Sequence, residues 1–153
     1  METFIGTKIV KATPMPCQKD VYNSKIGDPG YLVEYEDGYI SWSPAKPFNT
    51  AYRKCDEMPF GLAIEAAKMG HKIARKGWNG KGMWVVLMGG MSLPPYNSQE
   101  PGKKVNDRTA KLIGEDTSLV TLPYFAMWTA DKKWLPGWLA SQTDMLSDDW
   151  QIV

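Results

Sequence analysis

The stretch Pro59-Phe-Gly-Leu-Ala-Ile-Glu-Ala-Ala-Lys-Met-Gly70-His-Lys-Ile-Ala-Arg-Lys-Gly-Trp-Asn-Gly-Lys-Gly-Met-Trp-Val-Val-Leu-Met88 changes period twice, and those changes decide the fold class. Phe60, Ala63, Ile64 and Ala67 recur at i, i+3, i+4 and i+7, which lines one face of an α-helix. Gly70 ends that helix, because glycine takes the left-handed backbone of a helix C-terminus without steric cost. Residues 71–76 then read as a strand, with Ile73 between basic and polar neighbours. The glycines of residues 77–82 make a turn. Residues 83–88 return as a strand apolar enough to be covered on both faces. The product is a helix followed by a hairpin whose tip displays Trp78 and Asn79.

Downstream, residues 89–118 are polar and rich in Gly and Pro. They read as a long loop, a kind that is usually functional or mobile. Residues 119–129 form the next strand, 130–133 a turn and 134–139 its return. Ser141-Gln-Thr-Asp144 has the spacing of a capping box, with a hydroxyl at the N-cap and an acid three residues on. A short helix follows to about Asp149, then a final strand or docked tail over 150–153. Upstream, residues 7–12 read as a strand and 13–30 as a loop. Residues 31–36 and 39–43 form a hairpin about Asp37-Gly38, where glycine accepts the positive φ of a tight turn. Ser43-Pro44 caps and begins a short helix to about Tyr52. The class is α+β, an antiparallel β-sheet with short helices plus a small N-terminal β-hairpin module. The division expected is a β-rich module over 1–55 and an α+β domain over 56–153.

A chain of 153 residues with net charge +1 excludes the strong basic excess of a general DNA- or RNA-coating protein. No stretch approaches the length of a membrane span, and the N-terminus has no basic region leading into an apolar one, so no signal peptide is expected. Cys17 and Cys55 read as free thiols; a disulfide or half a metal site is the alternative. With one histidine and no Cys-x-x-C, no metal or cofactor is expected.

The chemistry concentrates in two runs. Arg75-Lys-Gly-Trp78-Asn79-Gly-Lys81-Gly82 combines cations for phosphate, an indole face for a base, an amide for polar readout and glycines for close backbone approach. It lacks the spacing of a phosphate-binding P-loop or a dinucleotide fingerprint, and it reads also as a plain hairpin turn with solvated lysines. Trp138-Leu-Ala-Ser-Gln142-Thr143-Asp144-Met-Leu adds a second indole. Gln142 and Thr143 there both donate and accept, and the Asp144 carboxylate suits ribose hydroxyls or a base edge. Ser141 and Asp144 serve equally as helix caps. The other five tryptophans suit a core or a subunit interface. Together the runs suggest a small, flat, polar, anionic ligand bound through Arg75, Trp78, Asn79, Lys81, Trp138, Gln142, Thr143 and Asp144. No nucleophile–base arrangement can be built from neighbouring residues, His71 reads as a surface residue, and Asp131, Asp144, Asp148 and Asp149 have no spacing that specifies a metal.

Phe60–Ala66, Ala74–Met83 and Trp138–Leu146 with Asp149-Trp150 resemble the phage Thoeris anti-defence sponge proteins of the second type. The resemblance spans about residues 58–153, and the module before it is similar to an extension carried by some members and lacking in shorter ones. Residues 89–118 are longer than in short members. The resemblance implies a homotetramer, with pockets between protomers, that sequesters cyclic nucleotide immune signals without cleaving them. It implies glycocyclic ADP-ribose made by TIR-domain enzymes as the signature ligand, and for some members CBASS-type cyclic dinucleotides in separate pockets. Trp78 and Asn79 would contact the ligand, and Trp138 and Asp144 would complete the pocket. No DNA, RNA or membrane partner is expected, and the site of action would be the cytoplasm of the infected host. The rival readings are an enzyme that degrades such nucleotides and a structural or partner-binding phage protein.

Overall fold

The computed structural model describes residues 1–153, which divide into two compact units, Met1–Met58 and Pro59–Val153. The first unit holds β1 (Lys11–Pro14), β2 (Gly30–Glu34) and β3 (Ile40–Pro44) as one antiparallel sheet in that order, followed by α1 (Ala45–Ala51). The β2–β3 turn is the one expected at Asp37-Gly38, and Gly38 takes φ +81° there. A Cβ on Gly30 would collide with the Trp42 ring, whose Nε1 donates to the Met15 carbonyl at 2.8 Å. Two expectations shift. The first strand lies at 11–14 rather than 7–12. Pro44 closes β3 and caps α1 with no side-chain bond, so Ser43 is not its cap. Pro47 falls in the first turn of α1, where an N–H has no intrahelical acceptor to lose.

The second unit runs α2 (Phe60–Lys68), β4 (Ile73–Arg75), β5 (Trp84–Met88), β6 (Ser92–Leu93), α3 (Asp107–Ile113), β7 (Leu119–Val120), β8 (Tyr124–Trp128), β9 (Trp134–Pro136), α4 (Gln142–Met145) and β10 (Trp150–Ile152). Five strands form one antiparallel sheet in the order β10-β4-β5-β8-β9, and β6 pairs with β7. The chain's last strand therefore returns to the strand that precedes the Trp78 turn. Register carries one apolar row across the whole sheet: Ile152, Ile73, Val85, Met127 and Leu135 are successive partners. Ile73 and Val85 are fully buried, as are or nearly are Ala63, Ala66 and Ala67 of α2, which packs on β4, β5 and β10. Complete burial of a side chain such as Ile73 or Val85 contributes about 1.5–3 kcal/mol. Three alanines on the buried face let the helix backbone lie close to the strands.

The opposite face carries a second row, Trp84, Trp128 and Trp134, in the same register. Trp84 and Trp128 stack at 6.0 Å, and Lys72 lies over the Trp84 ring at 4.6 Å. These indoles are half-buried or exposed, so β5 is covered fully on one face rather than on both. Residues 89–118 are also more ordered than a loop. They contain α3, with Asn106 accepting from the Thr109 N–H at 2.9 Å and Gly114 turning the chain out at φ +101°. The strand expected over 119–129 is two strands, interrupted at Pro123, which has no N–H for a ladder. The return strand is short because Gly137 follows Pro136 at φ +81°, and α4 ends at Met145 rather than near 149.

Candidate functional site

The pairing of β10 with β4 sets the site. Trp150 lies opposite Arg75, so Asp149 and α4 are brought beside the turn over residues 77–82. Arg75 sits at the end of β4 and reaches in two directions. Its Nε donates to Asp149 Oδ1 at 2.7 Å, and its Nη1 donates to Asp144 Oδ1 at 2.9 Å. The Gly77 N–H donates to Asp149 Oδ2 at 2.7 Å. A Cβ on Gly77 would stand 2.7 Å from that same oxygen, so this position requires glycine for close approach.

Asp144 is the hub. The capping box expected at 141–144 is formed, with Ser141 Oγ accepting from the Asp144 N–H at 3.1 Å and Asp144 Oδ2 accepting from the Ser141 N–H and hydroxyl. Asp144 Oδ1 accepts from Arg75 and from the Trp78 indole N–H at 3.0 Å. A carboxylate has about four lone-pair positions, and these four donors fill them. Burial alone would raise the Asp144 pKa, since only 12% of its side chain is exposed, but the Trp78, Arg75 and Ser141 donors outweigh it and hold the group at about 2. Asp149 is also lowered, chiefly by Arg75, against a smaller opposing effect of burial and with help from the Gly77 N–H. Arg75 is raised, first by Asp149 and also by Asp144. One cation and two carboxylates leave this cluster with a net negative charge.

Three indoles meet above the cluster. Trp78 contacts Trp138 at 6.1 Å and Trp150 at 5.4 Å, and Trp138 contacts Trp150 at 6.2 Å, all edge to face. Phe60 and Phe125 back Trp150 and Trp138 respectively. Trp150 is completely buried, with its N–H donating to the Asp144 carbonyl at 2.9 Å. Trp78 and Trp138 are half-buried. Trp150 was read only as core or interface, yet it is the pillar against which both site indoles rest. Its place five residues after Met145, where the capped helix ends, was the available signal.

The candidates from the sequence separate into two groups. Arg75, Trp78, Trp138 and Asp144 form one connected cluster, with the polar groups of Arg75 and Asp144 engaged by protein partners. Asn79, Lys81, Gln142 and Thr143 are exposed. Asn79 and Lys81 stand on the turn that follows Trp78, and Gln142 and Thr143 occupy the first turn of α4 beside Asp144. No three His, Cys, Asp or Glu residues gather as a metal site. Cys17 and Cys55 are free, and no helix is long and apolar enough to cross a membrane.

This arrangement, an indole cluster clamped by a buried carboxylate at the end of a five-stranded sheet, falls within residues 58–153. Those residues match the Thoeris anti-defense 2-like domain, and the chain belongs to that family. It is 34% identical over 97 residues to Thoeris anti-defense 2 of Bacillus phage SP01, a match covering 63% of this chain and 96% of that relative. A relative so nearly consumed by the match has no room for a counterpart to the first unit.

Proposed function

We propose that this protein is a phage anti-defence sponge that binds and holds a cyclic nucleotide immune signal without cleaving it. Glycocyclic ADP-ribose made by TIR-domain enzymes is the first ligand, and CBASS-type cyclic dinucleotides are the second class. The observation that supports the reading is the pair of half-buried indoles, Trp78 and Trp138, held in place from behind by Trp150, Arg75 and Asp144. A base stacked on such a ring gains about 1–3 kcal/mol, and a wall fixed before the ligand arrives loses little ordering entropy on binding. Arg75 and Asp144 act as positioning groups in this reading, because their hydrogen-bonding positions are engaged within the protein. Lys81 and the turn backbone then receive phosphate, while Asn79, Gln142 and Thr143 serve polar edges and ribose hydroxyls.

Sequestration requires a slow off-rate rather than transition-state stabilisation. The protein would act as a homo-oligomer, a tetramer with pockets between protomers, in the cytoplasm of the infected host. The test is to incubate purified protein with TIR-made glycocyclic ADP-ribose, filter, and assay both the filtrate and the supernatant after heating. Loss from the filtrate with recovery of the intact molecule supports sequestration. Conversion to a new product would replace it with an enzymatic reading. An undiminished filtrate with both ligand classes would favour a partner-binding protein.

A further inference from the structure

The five asparagines of this chain are Asn23, Asn49, Asn79, Asn97 and Asn106, and only Asn79 is followed by glycine. That neighbour matters chemically, because a glycine nitrogen carries no adjacent side chain to obstruct its attack on the asparagine amide. Structure separates Asn79 further. Asn97 donates its side-chain N–H to Asp116, and Asn106 accepts from the Thr109 N–H as a helix cap. Asn49 lies within α1, where helical backbone keeps its side chain away from the following nitrogen. Asn79 is exposed in a turn, and neither its side-chain amide nor the Gly80 N–H has a protein hydrogen-bond partner. Electrophile and nucleophile are therefore both uncommitted, in adjacent residues and placed to close a five-membered ring, at the tip of the candidate binding hairpin.

We propose that Asn79-Gly80 is a self-modifying site whose spontaneous deamidation places a carboxylate in the binding hairpin and weakens the hold on an anionic ligand. The Gly80 nitrogen gives its proton to hydroxide and bonds to Asn79 Cγ. The Cγ–Nδ2 bond breaks, the departing nitrogen takes a proton from water and leaves as ammonia, hydroxide is regenerated, and a five-membered succinimide remains. Water then opens that ring at one of its two carbonyls, giving aspartate or isoaspartate at position 79. No oxidant, reductant or enzyme takes part.

Two observations make the outcome consequential. The cluster behind Trp78 already carries net negative charge, and Arg75 is shared between Asp144 and Asp149, so it has no capacity to neutralise a third carboxylate. Isoaspartate also lengthens the backbone beside Gly80, where a Cβ would already meet Met83 and Ala130. The charge effect rests on the sequestration reading, whereas the chemistry at Asn79 does not.

The test ages the full-length protein at mildly acidic and mildly alkaline pH and maps tryptic peptides by mass spectrometry, following Gly77-Trp-Asn-Gly-Lys81 against the peptides that carry the other four asparagines. The expected result is a gain of one mass unit in that peptide, faster at alkaline pH, ahead of every other asparagine, with isoaspartate detected by methyltransferase labelling. Asn79→Gln should remain unmodified. Gain at Asn79 no faster than at Asn23 would overturn the proposal. In parallel, aged protein and the Asn79→Asp variant are titrated with glycocyclic ADP-ribose. Both should bind about fivefold more weakly than fresh protein, the effect of one unit charge at contact distance in water. Equal affinity of fresh and aged protein would overturn the affinity clause. Fresh protein that binds neither glycocyclic ADP-ribose nor cyclic dinucleotides would overturn the sequestration reading with that clause, and the mass gain would still decide the deamidation.

Discussion

Replacing Asp144 with asparagine preserves shape and removes one charge from a group that accepts four hydrogen bonds. The amide end of the new side chain must face either the Arg75 and Trp78 donors or the Ser141 N–H and hydroxyl, so at least one N–H is left facing another donor. Two routes give the size of the loss. The pKa falls from the ordinary 3.8 to about 2, which corresponds to about 2 kcal/mol of stability. Hydrogen bonds to a charged group contribute about 1.5–3 kcal/mol, giving the same size when the replacement retains some of them. The sign follows from the depressed folded-state value. The stabilisation is complete above the unfolded pKa near 4 and is lost as the pH falls through about 2. Urea unfolding of wild type and Asp144→Asn, followed by tryptophan fluorescence at fixed protein concentration, isolates this group, since other carboxylates titrate in both proteins. The wild type should exceed the variant by about 2 kcal/mol at neutral pH, with the gap closing between pH 4 and 2. A variant of equal stability at neutral pH, or a gap that persists unchanged to pH 2, would refute the reasoning.

Trp78→Ala should weaken glycocyclic ADP-ribose binding by about 5- to 150-fold, the equivalent of one lost base stack, with the same elution volume in gel filtration as the wild type; retained affinity by calorimetry would remove Trp78 from the site. Ser141→Ala dismantles the capping box and should cost about 1 kcal/mol in urea unfolding. Trp150→Ala empties a completely buried position and should cost about 3–5 kcal/mol, with binding lost in step because both site indoles rest on that ring. A chain of residues 59–153 should fold with the circular dichroism and ligand affinity of the second unit, because the SP01 relative has no room for the first; aggregation of that fragment would refute its independence.

Where local chemistry decides the structure, the sequence was readable. The α2 face, its Gly70 end, the Asp37-Gly38 turn and the Ser141 capping box each depend on residues within seven positions of one another. The α3 helix carries local signals too, with Asn106 at the cap and Gly114 at the exit, but the surrounding Gly and Pro mask them. The interruption at Pro123 was likewise written in the chain. What local reading cannot supply is register between distant strands. Arg75 and Asp149 are 74 residues apart, and only the pairing of β10 with β4 makes them partners. That pairing changes the chemistry of the candidates. As isolated residues, Arg75 suggests phosphate and Asp144 suggests ribose. Brought together they satisfy each other, and the polar candidates left exposed to solvent are Asn79, Lys81, Gln142 and Thr143.

The separation of those partners has a consequence for biosynthesis. A ribosome moving at about 5–20 residues per second needs about 4–15 s to travel from Arg75 to Asp149, and during that interval the nascent chain has α2, β4 and β5 in hand but neither the carboxylates nor the Trp150 pillar. The cluster behind Trp78 must remain unmade until the closing strand emerges. Assembly of this domain thus waits on β10, the strand that brings Asp149 and Trp150 to the wall formed by Trp78 and Trp138.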